Sequence, residues 1–466
     1  MRHSFLSELG RRNRNNLRTL RQSPVAEISG ALGDLGTLLP LMVALAVQGS
    51  IDLSSTLVFS GLFNIVTGAM FGIPLPVQPM KAIAASALST PLSLRETTAS
   101  GALVSLAVLL LSTTGLLRLL TRLIPVPVIK GIQLGAGLRL VTAGANLILP
   151  LPWFSLSPQK NPLDTRIATL IAFLLLLLTQ RAPRFPYALL IFLLGLLSTL
   201  LFSPDHVPSP PSLGLSLSLW KPVFTLPNFN SPAAWSTALS QLPLTTLNSV
   251  IAVSALATDL LPSLPPLGVT SLGLSVAAMN LCACWFGAMP VCHGAGGLAA
   301  QHRFGARSGA SVLLLGVGKM ALGLFLSGSN DSSSGGGGGG LLVGILRGFP
   351  KGVLGVMVIA AGLELGKVGA GVNGRGAAAD LGWEDTSSVA GEEGAGNGNE
   401  RRWREVGVRE QQERWMVMMV TAAGTLAFKS DAVGFVAGCC CHGAYRVADG
   451  VERRWGAEGE RRPLLW

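Results

Sequence analysis

Apolar stretches long enough to cross a lipid bilayer recur along most of the chain, and this recurrence constrains the fold more than any other feature. A spanning helix needs about 20 mostly apolar residues. Such stretches lie at about 26–48, 53–72, 97–117, 128–148, 165–180, 186–202, 243–260, 267–288, 307–327, 350–366, 414–428 and 430–447. Two further apolar segments, 79–90 and 292–302, are too short to span, and each follows a proline. Counting them gives about fourteen elements. Charged residues are 13% of the chain against 49% hydrophobic, too little charge to cover a soluble surface of this size. The 57 glycines suit helices packed inside a bilayer, where small residues let backbones approach. The expected fold class is therefore an all-α polytopic membrane protein.

A net charge of +11 would point to nucleic acid in a soluble chain. Here the arginines lie outside the apolar stretches, so membrane topology accounts for them and no nucleic-acid partner is expected. An even number of spans puts both termini on one side. That side collects Arg2, Arg11, Arg12, Arg14, Arg18 and Arg21, then Arg118, Arg122, Arg181, Arg184, Arg303 and Arg307, then Arg401, Arg402, Arg404, Arg453, Arg454, Arg461 and Arg462. The other side receives Arg95, Lys160, Arg166, Lys221, Arg347 and Lys429. The positive-inside rule then places both termini in the cytoplasm, in a plasma membrane or a vacuolar membrane. The first apolar stretch is too long for the core of a signal peptide. The expected division is a basic cytoplasmic tail at 1–24, a first repeat at 25–202 and a Pro/Ser-rich loop at 203–242. A second repeat follows at 243–447, with a polar, Gly-rich insertion at 367–413 expected to be disordered, and a cytoplasmic tail at 448–466.

Internal similarity supports the word repeat. Pro76-Val77-Gln78-Pro79-Met80-Lys81 resembles Pro290-Val291-Cys292-His293-Gly294-Ala295, and each segment follows an Asn and then a Phe-Gly: Asn64 with Phe71-Gly72, Asn280 with Phe286-Gly287. The stretch from Pro125 to Leu140 resembles that from Pro350 to Leu365, with Gly137-Leu138 matching Gly362-Leu363. The offsets are 214 and 225 residues, about seven elements, an odd number that inserts the second copy upside down. Two inverted seven-helix repeats of this kind mark secondary transporters, whose binding site lies at corresponding interrupted helices.

Those interrupted helices are the segments after Pro76 and Pro290, read as two half-helices meeting near the midplane. Two helix N-termini presenting N–H groups and positive dipole ends favour a small anion. Gln78 and His293 stand at the two starts as hydrogen-bond donors, His293 having packing as its alternative role. Lys81, one turn further, either adds a positive charge or snorkels to the interface. Gly294, Gly296 and Gly297 let backbone approach a ligand, or serve close packing. Asn248, on the matching helix of the second half, offers hydrogen bonds without charge. Asp34, within Gly33-Asp34-Leu35-Gly36, is an intramembrane acid suited to proton coupling or to orienting a donor. Glu27, Asp52 and Asp259 read as caps. The run Cys439-Cys440-Cys441 reads as packing, with S-palmitoylation as the alternative. Neither a catalytic motif nor paired CxxC spacing is present, so no enzyme, metal or cofactor is expected.

The segments Gly33 to Thr37, Pro74 to Lys81 and Phe286 to Ala299, with Arg303 to Gly309 following, resemble the signature segments of the molybdate transporter family, a distant branch of the sulfate permease superfamily. The resemblance covers about 25–366 and, more weakly, 414–447. It implies fourteen elements in two inverted repeats, a core domain rocking against a gate domain, and import of molybdate, a tetrahedral dianion. The implied partners are molybdate and the lipid bilayer, with a second copy of the chain as a candidate. Sulfate or general oxyanion transport and an anion channel remain the alternatives, because dipoles and donors explain an anion but not the choice among oxyanions.

Overall fold

The computed structural model describes residues 2–33, 42, 45, 49–89, 92–154, 161–179, 185–202, 220–222, 224–264, 266–325, 348–373 and 407–459; Asp34 lies outside them. The chain opens with α1 (Arg2–Gln22) and α2 (Pro24–Leu32), the latter started by a proline where the missing N–H costs nothing. The region read as a basic tail is thus a helix, and it is docked. Asn16 donates to Gly68 O and accepts from Gly309 N, both at 2.9 Å, and the hydroxyls of Thr19 and Ser308 meet at 2.5 Å. α3 (Leu53–Phe71) is capped by Asp52, which accepts from Ser55 N at 2.6 Å. It ends at Gly72, whose φ of 69° only glycine adopts freely. After β1 (Val77–Pro79) and α4 (Lys81–Ser89), α5 (Leu94–Thr113) opens on a capping box between Ser93 and Glu96. The helices α6 (Leu116–Leu123), α7 (Val126–Ile148), α8 (Arg166–Leu178) and α9 (Tyr187–Phe202) follow.

The second half starts earlier than its hydropathy indicates. α10 (Pro232–Pro243) runs through a π-helical segment (Leu244–Ala252) into α11 (Val253–Leu260). Pro232, Ser236, Thr237 and Ser240 dilute the apolar signal over residues assigned to the 203–242 loop, yet a proline at the first helical position initiates a helix. Pro243 has no N–H to donate, and the π-helical segment begins directly after it. α12 (Val269–Ala283) then leads, through Gly287 at φ 70°, to β2 (Val291–His293) and α13 (Ala295–Arg303). The chain continues with α14 (Ala310–Phe325), α15 (Lys351–Lys367), α16 (Val408–Ala427) and α17 (Asp431–Gly459). α16 begins inside the segment expected as an insertion, a 3-10 segment (Val368–Asn373) prolongs α15 into it, and α17 runs into the expected C-terminal tail.

Corresponding helices of the two halves pack in pairs, α3 with α14, α5 with α12, and α7 with α15. Glycines set their closeness. A Cβ at Gly61 would lie 2.6 Å from Met320 N, and one at Gly316 2.6 Å from Gly61 O. In the third pair a Cβ at Gly137 would lie 2.7 Å from Gly362 O, and one at Gly362 2.6 Å from Gly137 O. Five helical runs are long and apolar enough to cross a membrane among the described residues: Leu53–Phe71, Leu94–Thr113, Pro232–Leu260, Val269–Phe286 and Lys351–Asn373. Shorter apolar helices, α8 and α9 among them, turn large aliphatic side chains such as Ile171 and Leu197 outward. An apolar exterior of this extent calls for lipid rather than water as its solvent, and the protein is an integral membrane protein.

Candidate binding site at the paired strands

The two interrupted segments meet as a two-stranded antiparallel ribbon. Val77 pairs with His293, Gln78 with Cys292, and Pro79 with Val291. The register is symmetric about Gln78 and Cys292, the residues that correspond in the two sequence segments. Each strand is held from outside by an asparagine of the preceding helix. Asn64 accepts from Val77 N at 2.8 Å, and Asn280 accepts from Val291 N at 2.6 Å. Each side-chain amide also donates into its own helix, Asn64 to Ser60 O and Asn280 to Val276 O, both at 2.8 Å. These bonds satisfy backbone groups that a two-stranded ribbon leaves unpaired. The ribbon delivers the chain into α4 on one side and α13 on the other, so both helix starts adjoin it.

Strand alternation sorts the predicted residues onto two faces. Gln78 and Cys292 share one face. Gln78 is 3% exposed and lies against the start of α13: a side chain at Gly294 would collide with its carboxamide oxygen, and a Cβ at Gly297 would lie 2.5 Å from its Nε2. Two of the three glycines expected to admit a ligand therefore make room for Gln78. At Gly296 a Cβ would meet Leu140 Cδ1 at 2.8 Å and Lys81 Nζ at 3.9 Å, which places the Lys81 ammonium over the same helix start. Gln78, Lys81, Gly294, Gly296 and Gly297 are thus brought together.

His293 occupies the opposite face. It is fully buried, with Nε2 at 3.1 Å from Ser275 Oγ and its ring edge-on to Phe71 at 5.8 Å. Its Nδ1 has no hydrogen-bond partner among the described residues. Asn248 lies in the π-helical segment, where its buried Oδ1 is also without a partner among the described residues. Its neighbour Ser249 donates to Cys292 Sγ at 3.2 Å, tying that segment to the ribbon.

The two helix starts are not equivalent. Gln241 of α10 accepts from Ala82 N at 2.8 Å and Ile83 N at 3.4 Å, so its side chain occupies donors of the first turn of α4. α13 has Gly294 at its N-cap and no side-chain cap, and Ala295, Gly296 and Gly297 are all buried. Among the described residues, the open positive end belongs to α13. Its uncapped N–H groups, with the neutral donor of Gln78 and the charge of Lys81, suit a small anion.

Two residues of this region escaped the sequence reading. Cys292 shares the Gln78 face, which only the strand register reveals. Lys319 of α14 is 4% exposed and donates to Val77 O at 3.3 Å from behind the ribbon. A lysine in the middle of an apolar span was the available signal. Glu27 caps a helix other than its own: Oε1 accepts from Arg307 N at 3.2 Å and Ser308 Oγ at 3.1 Å, and Oε2 from Ser311 N at 3.1 Å, at the start of α14. Asp259, expected as a cap, forms an ion pair with Lys130.

The fold matches that of solute carrier 26 proteins. Against a structure of SLC26A9 the TM-score is 0.54 at 13% identity, over 93% of this chain and 66% of that one, so the chain spans just under two thirds of that protein. Against the murine SLC26A9 anion transporter in its inward-facing state it is 0.53 at 13% identity, over 93% of this chain and 71% of that one. The sequence is more specific. A family model described as "Molybdate transporter of MFS superfamily" matches residues 26–140 and 233–365, and the chain belongs to this family. It is 38% identical to molybdate transporter 2 of Arabidopsis thaliana over 394 residues, 75% of this chain and 80% of that protein. It is 37% identical to molybdate transporter 1 of the same plant over 396 residues, covering 76% and 82%. Molybdate transporter 1 of Chlamydomonas reinhardtii is 33% identical over 455 residues, covering 75% and 85%. The description places the family in the MFS superfamily, whereas the motif resemblance placed it beside the sulfate permeases.

Proposed function

We propose that this protein is a secondary active transporter that imports molybdate by alternating access, and that it is not an enzyme. The observation that carries the reading is family membership, with identity to molybdate transporters over three quarters of the chain. The oxyanion binds at the open start of α13, against the N–H groups of Gly296 and Gly297, the Gln78 carboxamide that Gly294 makes room for, and the Lys81 ammonium. Asn248 closes the site from the π-helical segment. His293 supports the ribbon from its other face and holds the site's geometry.

The architecture of this reading is fourteen elements in two inverted repeats. The corresponding Asn clamps, left-handed glycines, strands and short helices at a near-constant offset support it. The helices α7, α8, α15, α16 and α17 pack mainly on one another and form the gate; α3, α5, α10, α12 and α14 form the core that carries the ribbon. Both termini face the cytoplasm, as the arginine distribution requires. Proton coupling, the remaining part of this reading, rests on an ionisable acid inside the membrane-spanning sequence, for which the sequence offers Asp34.

Uptake of molybdate into proteoliposomes tests the site. Lys81→Ala and Gln78→Leu are each expected to raise the half-saturating concentration by about tenfold or more, the scale of one lost charge-assisted contact. Unchanged uptake in both variants places the site elsewhere.

A further inference from the structure

The start of α17 carries a carboxylate that the reading above does not use. The Asp431 side chain is completely buried and is ion-paired through Oδ1 with Arg139 of α7. Its Oδ2 has no hydrogen-bond partner among the described residues. α16 runs parallel to α7, with Gly131 against Thr421 and Gly135 against Thr425, so the turn from α16 to α17 reaches the level of Arg139, halfway along α7. Leu140, the next residue, packs against Gly296 at the start of α13. Lys81 is within electrostatic reach of Asp431 and sits over the same helix start. Lys81 of α4 and Arg139 and Asp431 of the gate helices therefore flank the proposed site, with one net positive charge among these three described residues.

We propose that Asp431 accepts the coupling proton, and that Arg139, released when Asp431 is protonated, becomes the second positive charge on the bound oxyanion. The inference rests on the molybdate-transport reading. A dianion is not neutralised by one net positive charge, and an unmatched charge away from water is costly. Protonating Asp431 leaves Lys81 and Arg139 as two positive charges, which match the dianion. The proton comes from a hydronium ion of the solvent, which is left as water, and forms an O–H bond at Oδ2, the oxygen without a hydrogen-bond partner among the described residues. The Arg139–Asp431 ion pair then opens, and the planar guanidinium turns its parallel N–H groups to two oxygens of the substrate. Release of the oxyanion restores the ion pair and expels the proton.

Among the described residues, the elements packed on Asp431 supply no rival carboxylate nearby; on α17 itself the next charged groups, Arg446, Asp449 and Glu452, stand about four turns or more further along. α4 carries only Lys81, and the π-helical segment carries no charge. On α7 the other charged residue is Lys130, already paired with Asp259. On α16, Glu410, Glu413, Arg409 and Arg414 stand in the first two turns, at the far end from Asp431. Lys429 in the intervening turn is exposed.

The test counts protons on binding. Molybdate is titrated calorimetrically into the purified full chain in buffers of different ionisation enthalpy, beside Asp431→Asn, Asp34→Asn and Arg139→Gln. The wild type is expected to take up one proton per molybdate, Asp34→Asn likewise, and Asp431→Asn none. Arg139→Gln is expected to bind about tenfold or more weakly. A wild type that takes up no proton, or an Asp431→Asn variant that takes up the wild-type proton, overturns the proposal. So does loss of the proton in Asp34→Asn alone. Should Asp431→Asn not fold, Asp431→Glu decides, because a moved pH midpoint supports the assignment and an unmoved one overturns it. A wild type that binds sulfate but no molybdate sinks the molybdate reading instead, and the same proton count with sulfate then judges Asp431 separately.

Discussion

Among the residues of the site, Gln78 and Gly294 form one unit. The carboxamide is held where a single added methyl group at Gly294 would overlap it. Gly294→Ala is expected to lower initial molybdate uptake by about tenfold or more, which corresponds to ~1.4 kcal/mol. Gly318→Ala, at a position where a Cβ meets nothing within 4 Å, serves as the control and should transport like the wild type. Glu27 is a contrasting case, a buried intramembrane acid with an entirely structural set of partners. Glu27→Ala leaves the donors at the start of α14 unsatisfied and should cost about 1–3 kcal/mol. Thermal unfolding in detergent reads this loss, and the half-saturating molybdate concentration should not move. Gln78, Lys81 and the glycines were legible because a proline before a short apolar segment marks a half-helix. The opposite orientation of His293 was not, since a residue's face depends on strand register and the segment gave no reason to expect a strand.

Each half-helix depends on how its first turn is satisfied. The donors of α4 are met by Gln241, which reaches in from α10 and is itself held by a bond from its Nε2 to Thr245 Oγ1 at 2.8 Å. Gln241→Leu is expected to cost about 1–3 kcal/mol of stability through the unsatisfied N–H groups, while Gln241→Glu, which can still accept, should retain most of it. Comparison of the two melting temperatures checks the assignment. Equal losses in both would mean that the position needs glutamine's shape rather than its acceptor. The Ser, Thr and Pro content of α10 hides a half-buried helix, and α1 has no apolar stripe of spanning length. Both are held by specific polar contacts, Gln241 in one and Asn16 in the other, which composition does not express.

For the molecule as a whole, alternating access requires core and gate to separate at one end while they close at the other. Polar contacts tie the proposed gate helices to the elements around the ribbon: Lys130 of α7 with Asp259 of α11, and His302 of α13 with Glu364 of α15 at 3.4 Å. If the first pair is a closing contact, reversing one charge should impair transport and reversing both should restore it. Lys130→Asp is expected to reduce uptake, the Lys130→Asp/Asp259→Lys pair to recover it, with a coupling of about 0.5–3 kcal/mol. Absence of recovery would show that Lys130 and Asp259 act independently. The internal similarity was readable from the matching motifs, and the two Asn clamps and the symmetric ribbon support the proposed repeat. The division into core and gate was not, because it rests on which helices pack together rather than on any one of them.

Selective carriage of molybdate is measured by initial-rate uptake into proteoliposomes containing only the purified full chain. Saturable molybdate uptake is expected, absent from protein-free vesicles and persisting in a large excess of sulfate. Uptake no faster than in protein-free vesicles, or uptake that sulfate abolishes in simple proportion to its concentration, would contradict it.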